Sequence, residues 1–204
     1  MPSSGPRYIG GLSVLFGLKV ATDPAWLRVV LSDLDAFLVD HAAAERKASG
    51  MAMQLVSHYP DRPELVSAMV DLACEELEHF RLVYRVIEAR GVQLVPDTRD
   101  EYVRGLQALS RRGRDAYFMD RLLIAGIVEA RGCERFGLVA GGLPPGKLKD
   151  LYAELTRAES RHHGLFMRMA RTYFDQDKVA LREQELLEQE AQIVAGLSLR
   201  AALH

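Results

Sequence analysis

Glu75-Glu76-Leu77-Glu78-His79-Phe80 puts three acids and a histidine inside an apolar helical run. Glu76 and His79 stand three positions apart, and residues at that spacing share one face of a helix. Met69, Leu72 and Val83 lie on the same face, so it is the apolar stripe that should turn inward. A lone carboxylate on such a stripe costs on the order of several kcal/mol of hydration or takes up a proton. Something elsewhere in the chain has to compensate it.

The same pattern returns at Glu159-Ser160-Arg161-His162, on a face shared with Tyr152, Leu155, Phe166 and Met169. Two further helical stretches each place one glutamate on a core face: Glu45 beside Leu38, His41, Ala48 and Ala52, and Glu129 beside Leu122, Ala125, Cys133 and Phe136. The spacing repeats as well, with 31 positions from Glu45 to Glu76 and 30 from Glu129 to Glu159. One glutamate on each of two helices and Glu-x-x-His on each of two others is the arrangement of ferritin-like di-iron and di-manganese bundles. It predicts a pair of divalent cations held by Glu45, Glu76, His79, Glu129, Glu159 and His162.

Charge supports that expectation. Four carboxylates, two divalent cations and two neutral imidazoles come out near neutral, and oxygen-rich ligation with imidazole suits iron or manganese rather than a structural zinc. Ala48, Ser49, Ala125, Gly126 and Gly132 are small enough to leave room for dioxygen, a bridging ligand or a substrate. Buried ion pairs or satisfied core histidines would explain any one of the six residues. They do not explain all six at matched spacing, because buried charges are rare unless paired or metal-bound. Around this set, His41 reads either as a group behind or beside the site or as a solvated histidine at a helix edge. Glu75 reads as an acceptor for the second N–H of His79, Cys133 as a small core thiol and His163 as outside the ligand set.

Thr22-Asp23-Pro24 is a helix start, and helical periodicity then runs over 26–58 with Ser32-Asp33 as the place where it can break. Further helices are predicted over 62–90 with Gly91 as its C-cap, 99–110, 114–140, 147–174 and 177–199. The breaker Gly141-Gly142-Leu143-Pro144-Pro145-Gly146 separates the third long helix from the fourth. No stretch alternates with the period of a half-buried strand. The expected fold class is all-α: a ferritin-like four-helix bundle with a long crossover connection and additional short and C-terminal helices, forming a single domain over 1–204.

Bulk properties agree with a globular enzyme and exclude little else. The 204 residues, 49% hydrophobic and 26% charged, suffice for a buried core. A formal net charge of -2 announces no global basic field, so any positive surface must be local. Arginines number 21 against 5 lysines, which suits phosphate recognition but equally follows from a GC-rich coding genome. Cys74 and Cys133 lie in helical sequence without a CxxC partner, which points to a reduced, cytoplasmic protein. The apolar stretch at 9–20 lacks a basic flank and falls short of the roughly 20 residues that span a bilayer. It is expected to pack on the domain, and no membrane segment is predicted.

The strings HAAAERKAS (41–49), EELEHF (75–80), VEARGCERF (128–136) and AESRHH (158–163) resemble the tRNA hydroxylase family that acts on 2-methylthio-N6-isopentenyladenosine. The likeness runs through all four long helices, and its two longest strings fix residues beyond the ligands. It implies a non-haem di-iron monooxygenase that uses dioxygen, with electrons from an external donor such as a redox partner protein, to hydroxylate the isopentenyl side chain of the modified adenosine in tRNA. The family's iron ligands fall on Glu45, Glu76, His79, Glu129, Glu159 and His162, with none missing. An allylic C–H bond is too inert for side-chain acid–base chemistry, so a metal centre fits the task.

Phe136, Tyr152 and Phe166 are then the candidates for an apolar pocket around the prenyl group, although each is also an ordinary core residue. A tRNA partner requires phosphate contacts, and Arg111-Arg112-Gly113-Arg114 is the densest basic cluster available, its alternative being a solvated turn. Two other readings stand beside this one. The nearer is a ferritin-like di-iron protein with another task (peroxide reduction, iron handling or small-molecule hydroxylation); the more distant is a metal-free helical interaction module. Nothing in the sequence specifies an oligomeric state.

Overall fold

A computed structural model describes residues 16–204. Among the described residues there are seven helices and no strand: α1 (Pro24–Ser32), α2 (Leu34–His58), α3 (Pro63–Ala89), α4 (Glu101–Ala108), α5 (Arg114–Gly142), α6 (Lys147–Tyr173) and α7 (Gln176–Gly196). The all-α expectation holds, and every predicted helix is present within a few residues of its expected bounds. The expected packing of 9–20 is met where it can be judged, since Phe16 and Leu18 are buried; residues 9–15 lie outside the described residues.

The helical run that starts near Trp26 does break at Asp33. Its side chain turns back to accept the Ala36 N–H at 3.2 Å, capping α2 and ending continuity with α1. The chain divides into two compact units with the boundary at this point.

The first unit, Ser32–Arg99 with Arg200–Leu203, is built on the hairpin of α2 and α3. Only Tyr59-Pro60-Asp61-Arg62 joins the two helices, and so short a link makes them antiparallel neighbours. Pro63 opens α3 at the position where a missing N–H costs nothing. Gly91, at φ 71°, closes it as expected: its N–H reaches Glu88 O and the Val92 N–H reaches Ile87 O, two of the carbonyls that a helix end leaves over. Phe37, Leu38, Leu55, Leu65, Met69, Leu72, Val83 and Ile87 are buried in this unit.

The second unit takes the chain up to Leu31, then Asp100–Leu199 and His204. It is built on the hairpin of α5 and α6, whose link Leu143-Pro144-Pro145-Gly146 is equally short. From Phe118 to Val139, α5 is buried on nearly every side, although Asp120, Glu129, Arg131, Glu134 and Arg135 lie in that span. Gly126 is where α6 comes closest: a Cβ there would stand 2.3 Å from Met167 Cε and 3.3 Å from Phe166 Cβ. Helices α4 and α7 pack against each other and against α5.

Candidate metal centre

In the first hairpin, helical periodicity brings Glu45 of α2 to Glu76 and His79 of α3. All three are buried, and each offers a ligand atom within 4.8 Å of the others. His79 Nδ1 stands 3.2 Å from Glu76 Oε2 and 3.7 Å from Glu45 Oε2. His41, one turn before Glu45 and wholly buried, holds Glu45 Oε1 at 2.6 Å through Nε2. Burial alone would raise the Glu45 carboxyl. Hydrogen bonds with His41 and His79, and the charge of His41, outweigh it and hold the group well below the usual carboxylate range. Burial likewise depresses the His79 imidazole, but hydrogen bonds to Glu45 and Glu76 lift it to about 9.

In the second hairpin, Glu129 of α5 meets Glu159 and His162 of α6. These three are buried too and converge within 4.8 Å. His162 Nδ1 lies 3.5 Å from Glu159 Oε2. Two carboxylates and one imidazole in each hairpin form a donor set that iron or manganese takes, so the residues fit the expected pair of cations.

A second correspondence lies behind the ligands. Ser49, four positions after Glu45, donates through Oγ to Ala73 O at 2.9 Å. Cys133, four positions after Glu129, donates through Sγ to Thr156 O at 3.1 Å. Each acceptor stands three positions before the glutamate of its own Glu-x-x-His. The hairpins therefore share ligands, spacing and the bond that ties one helix to the other. They part at the position four before the single glutamate, where the first carries His41 and the second Ala125.

The neighbouring candidates fall as follows. His41 is inside the protein and bound to a ligand, which removes the solvated alternative. Glu75 Oε1 stands 3.9 Å from His79 Nε2, longer than the hydrogen bond expected of it. Cys133 is a core thiol whose pKa burial, with the nearby charges of Glu159 and Glu129, pushes up to about 12. His163 turns away from the ligand set and donates from Nδ1 to Gly126 O at 2.8 Å. Phe136 and Tyr152 pack with ring centroids 5.6 Å apart. With Phe166 they occupy positions seven residues from Glu129 or Glu159, on the ligand-bearing faces.

Arg111, expected to contact phosphate alongside Arg112 and Arg114, is also engaged inside the protein. Its backbone N–H and guanidinium both engage the buried carboxylate of Asp120, at 2.8 and 2.7 Å, so its charge is already answered within the protein.

Sequence reasoning missed a buried ionic network on α5. Arg131 donates from Nε to Glu190 Oε1 at 2.9 Å and from Nη1 to Glu134 Oε2 at 2.5 Å, and from Nη2 to Val20 O. Tyr102 OH donates to Glu190, and Thr22 binds Glu134 through both its N–H and its hydroxyl. Arg135 lies over the Trp26 ring at 5.0 Å; burial and the like charge of Arg131 draw its pKa down to about 10. The available signal was charge inside a helix that is apolar on every other side.

Comparison with known proteins adds four findings. A family model described as tRNA-(MS[2]IO[6]A)-hydroxylase (MiaE) matches residues 13–204. A Pseudomonas putida protein, tRNA 2-(methylsulfanyl)-N(6)-isopentenyladenosine(37) hydroxylase, is 34% identical over 163 residues, which is 80% of this chain and 79% of that protein. The Salmonella typhimurium protein of the same name is 31% identical over 155 residues, 76% of this chain and 56% of its own length. Among solved structures, Protein 43 with aldehyde deformylating oxygenase activity from Synechococcus superposes with a TM-score of 0.87 at 34% identity, covering 92% of this chain and 94% of that one. The fold is ferritin-like, as expected.

Proposed function

The chain belongs to the tRNA-(MS[2]IO[6]A)-hydroxylase family, and from that premise we propose that it is a di-iron monooxygenase that hydroxylates the isopentenyl side chain of 2-methylthio-N6-isopentenyladenosine in tRNA. The observation that carries this reading is the pair of buried half-sites, alike in ligands, spacing and supporting hydrogen bond. In this reading the chain is one domain, and Glu45, Glu76, His79, Glu129, Glu159 and His162 hold two iron ions jointly.

Such an iron pair supplies the oxidising power: one atom of dioxygen becomes the new hydroxyl, and the other leaves as water with two protons and two electrons from outside. The chain's own residues do the rest. His41 fixes the Glu45 carboxylate by one oxygen and leaves the other facing His79. Phe136, Tyr152 and Phe166 keep the surroundings of the second half-site apolar, so a prenyl group is accommodated and water is excluded. Arg112 and Arg114 meet tRNA phosphates, with Arg111 holding their backbone in place. Electrons come from a redox partner protein. The substrate assigns the work to the cytoplasm, and among the described residues no helix is long and apolar enough to cross a membrane.

A second reading rests on the Synechococcus neighbour: the same centre deformylating an aldehyde. One experiment separates them. In tRNA from a strain lacking the gene, mass analysis should find the hydroxylated nucleoside absent and its unhydroxylated precursor in its place. The wild-type gene should restore it, and a gene carrying Glu76→Ala and Glu159→Ala should not. Hydroxylated nucleoside persisting in the deletion strain would refute the tRNA assignment.

A further inference from the structure

Between α4 and the start of α5 the surface sinks into an open depression of about 420 Å³, lined by Gln107, Ser110, Arg111, Arg112, Gly113, Arg114 and Tyr117. Three of those residues are arginines and none is acidic, in a chain whose formal net charge is -2. Arg111 is held by Asp120, so a ligand's phosphate would be met by Arg112 and Arg114.

The backbone beneath it is pinned. Asp120, fully buried, takes the Arg111 N–H and guanidinium on one side and the Arg182 guanidinium, at 3.0 Å, on the other. Arg182 also donates to Leu109 O at 2.8 Å, so both ends of the turn from Leu109 to Arg111 are tied to α7 or α5. Gly113, at φ 97°, then carries the chain into α5 through a conformation that other residues rarely adopt. A ligand meeting this surface orders little that is not already ordered, which spares much of the entropy that binding normally consumes.

Tyr117 adds a second kind of contact. It is 39% exposed, which is large for an aromatic side chain on a buried helix, and the Arg121 guanidinium lies 5.9 Å from its ring centroid. An exposed ring backed by a cation, beside a cluster of guanidinium groups, is what stacks an unpaired base while arginines take its phosphate. An acidic protein would use the arginines but has no need of the ring.

We infer that this depression binds a single-stranded nucleotide of the RNA substrate, its phosphate against Arg112 and Arg114 and its base on Tyr117. The inference rests on the tRNA reading above and adds where the RNA is gripped. Arg114 and Glu129 are 15 residues apart on one helix, a rise of about 22 Å, so the depression lies outside the reacting centre. Its role is to contribute binding energy from a remote part of the substrate.

The test is tRNA binding to the iron-loaded protein across a salt series, for Arg112→Gln/Arg114→Gln, Tyr117→Ala and Tyr117→Phe. Each arginine that meets a phosphate contributes about one unit to the slope of log affinity against log salt, so the double variant should lose about two. Tyr117→Ala should weaken binding about tenfold and Tyr117→Phe by less than about twofold, since stacking needs the ring and not the hydroxyl. Iron content and optical spectrum should match wild type in all three. Wild-type affinity and slope in the double variant would overturn the phosphate assignment, and equal binding by Tyr117→Ala the stacking one. Unchanged tRNA affinity with weakened binding of an acidic electron donor would give the surface to a protein instead. Failure of the tRNA reading itself shows separately, in the nucleosides of the deletion strain.

Discussion

The two hairpins carry the same proposed metal-binding residues in the same order yet support them differently. Behind Glu45 the first hairpin places an imidazole that grips one carboxylate oxygen; behind Glu129 the second places Ala125, with Gly126 beside it. Ser49 and Cys133, by contrast, occupy matched positions and make matched bonds. What recurs is what any cation pair needs from a helical hairpin: two acids, one imidazole and a tie between helices. What differs is specific to one side. The first half-site carries a buried imidazole on its single glutamate; at the matched position the second has Ala125, and Gly126 beside it lies against Met167 and Phe166 of α6.

The strongest way to break this comparison is to delete a ligand from each hairpin in turn. Glu76→Ala and Glu159→Ala should each lower hydroxylation by more than about 100-fold, since even groups that only support ligands are worth about 10–100-fold. Bound iron per chain, read by metal analysis, should fall in both. A variant with full iron would show that its hairpin does not contribute.

Next in size is the ionic network that only the second unit possesses. Glu190→Ala leaves the Arg131 guanidinium buried without its bidentate partner, which should cost about 3–5 kcal/mol and lower Tm by about 10 °C. The surface pair of Glu78 with Arg81 in the first unit is a control, because Glu78→Ala should leave the melting curve where it is.

His41→Ala tests the asymmetry directly. Losing the bond to Glu45 should weaken iron binding and activity about 10-fold to 100-fold, and Gln at the same position, which keeps a donor, should recover much of it. Smaller still are the matched ties: Ser49→Ala should cost about 1 kcal/mol in chemical denaturation, the worth of one hydrogen bond. The least disruptive experiment is alkylation at mildly alkaline pH. Iodoacetamide should label exposed Cys74 and spare Cys133, whose thiol stays protonated up to about 12. Mass mapping of the folded protein reads both.

Most of the fold and the whole proposed ligand set were legible in the sequence, and the reason is local. Glu-x-x-His at i, i+3, an apolar stripe, the Asp33 cap and the Gly91 C-cap are all written within one or two helical turns. His41 was half legible: its spacing from Glu45 showed, but its burial did not. The tie of Arg111 to Asp120 was not legible because Asp120 lies across a turn and its other partner, Arg182, is 62 residues beyond it. The network of Arg131 with Glu190 was invisible for the same reason. Long-range ion pairs leave no period in a sequence, so the run VEARGCERF over 128–136 shows charge in a core helix without showing what answers it.

That network also bears on how the protein is made. Arg131 emerges from the ribosome 59 residues ahead of Glu190, the group that neutralises it from the far side. The first hairpin has all its helical residues once Arg99 has been synthesised, and of the later chain its unit takes in only the short return at Arg200–Leu203. At the corresponding stage the second hairpin has Glu134 on the Arg131 guanidinium but not yet the bidentate Glu190. The full set of partners around Arg131 is thereby complete only once Glu190 has been made.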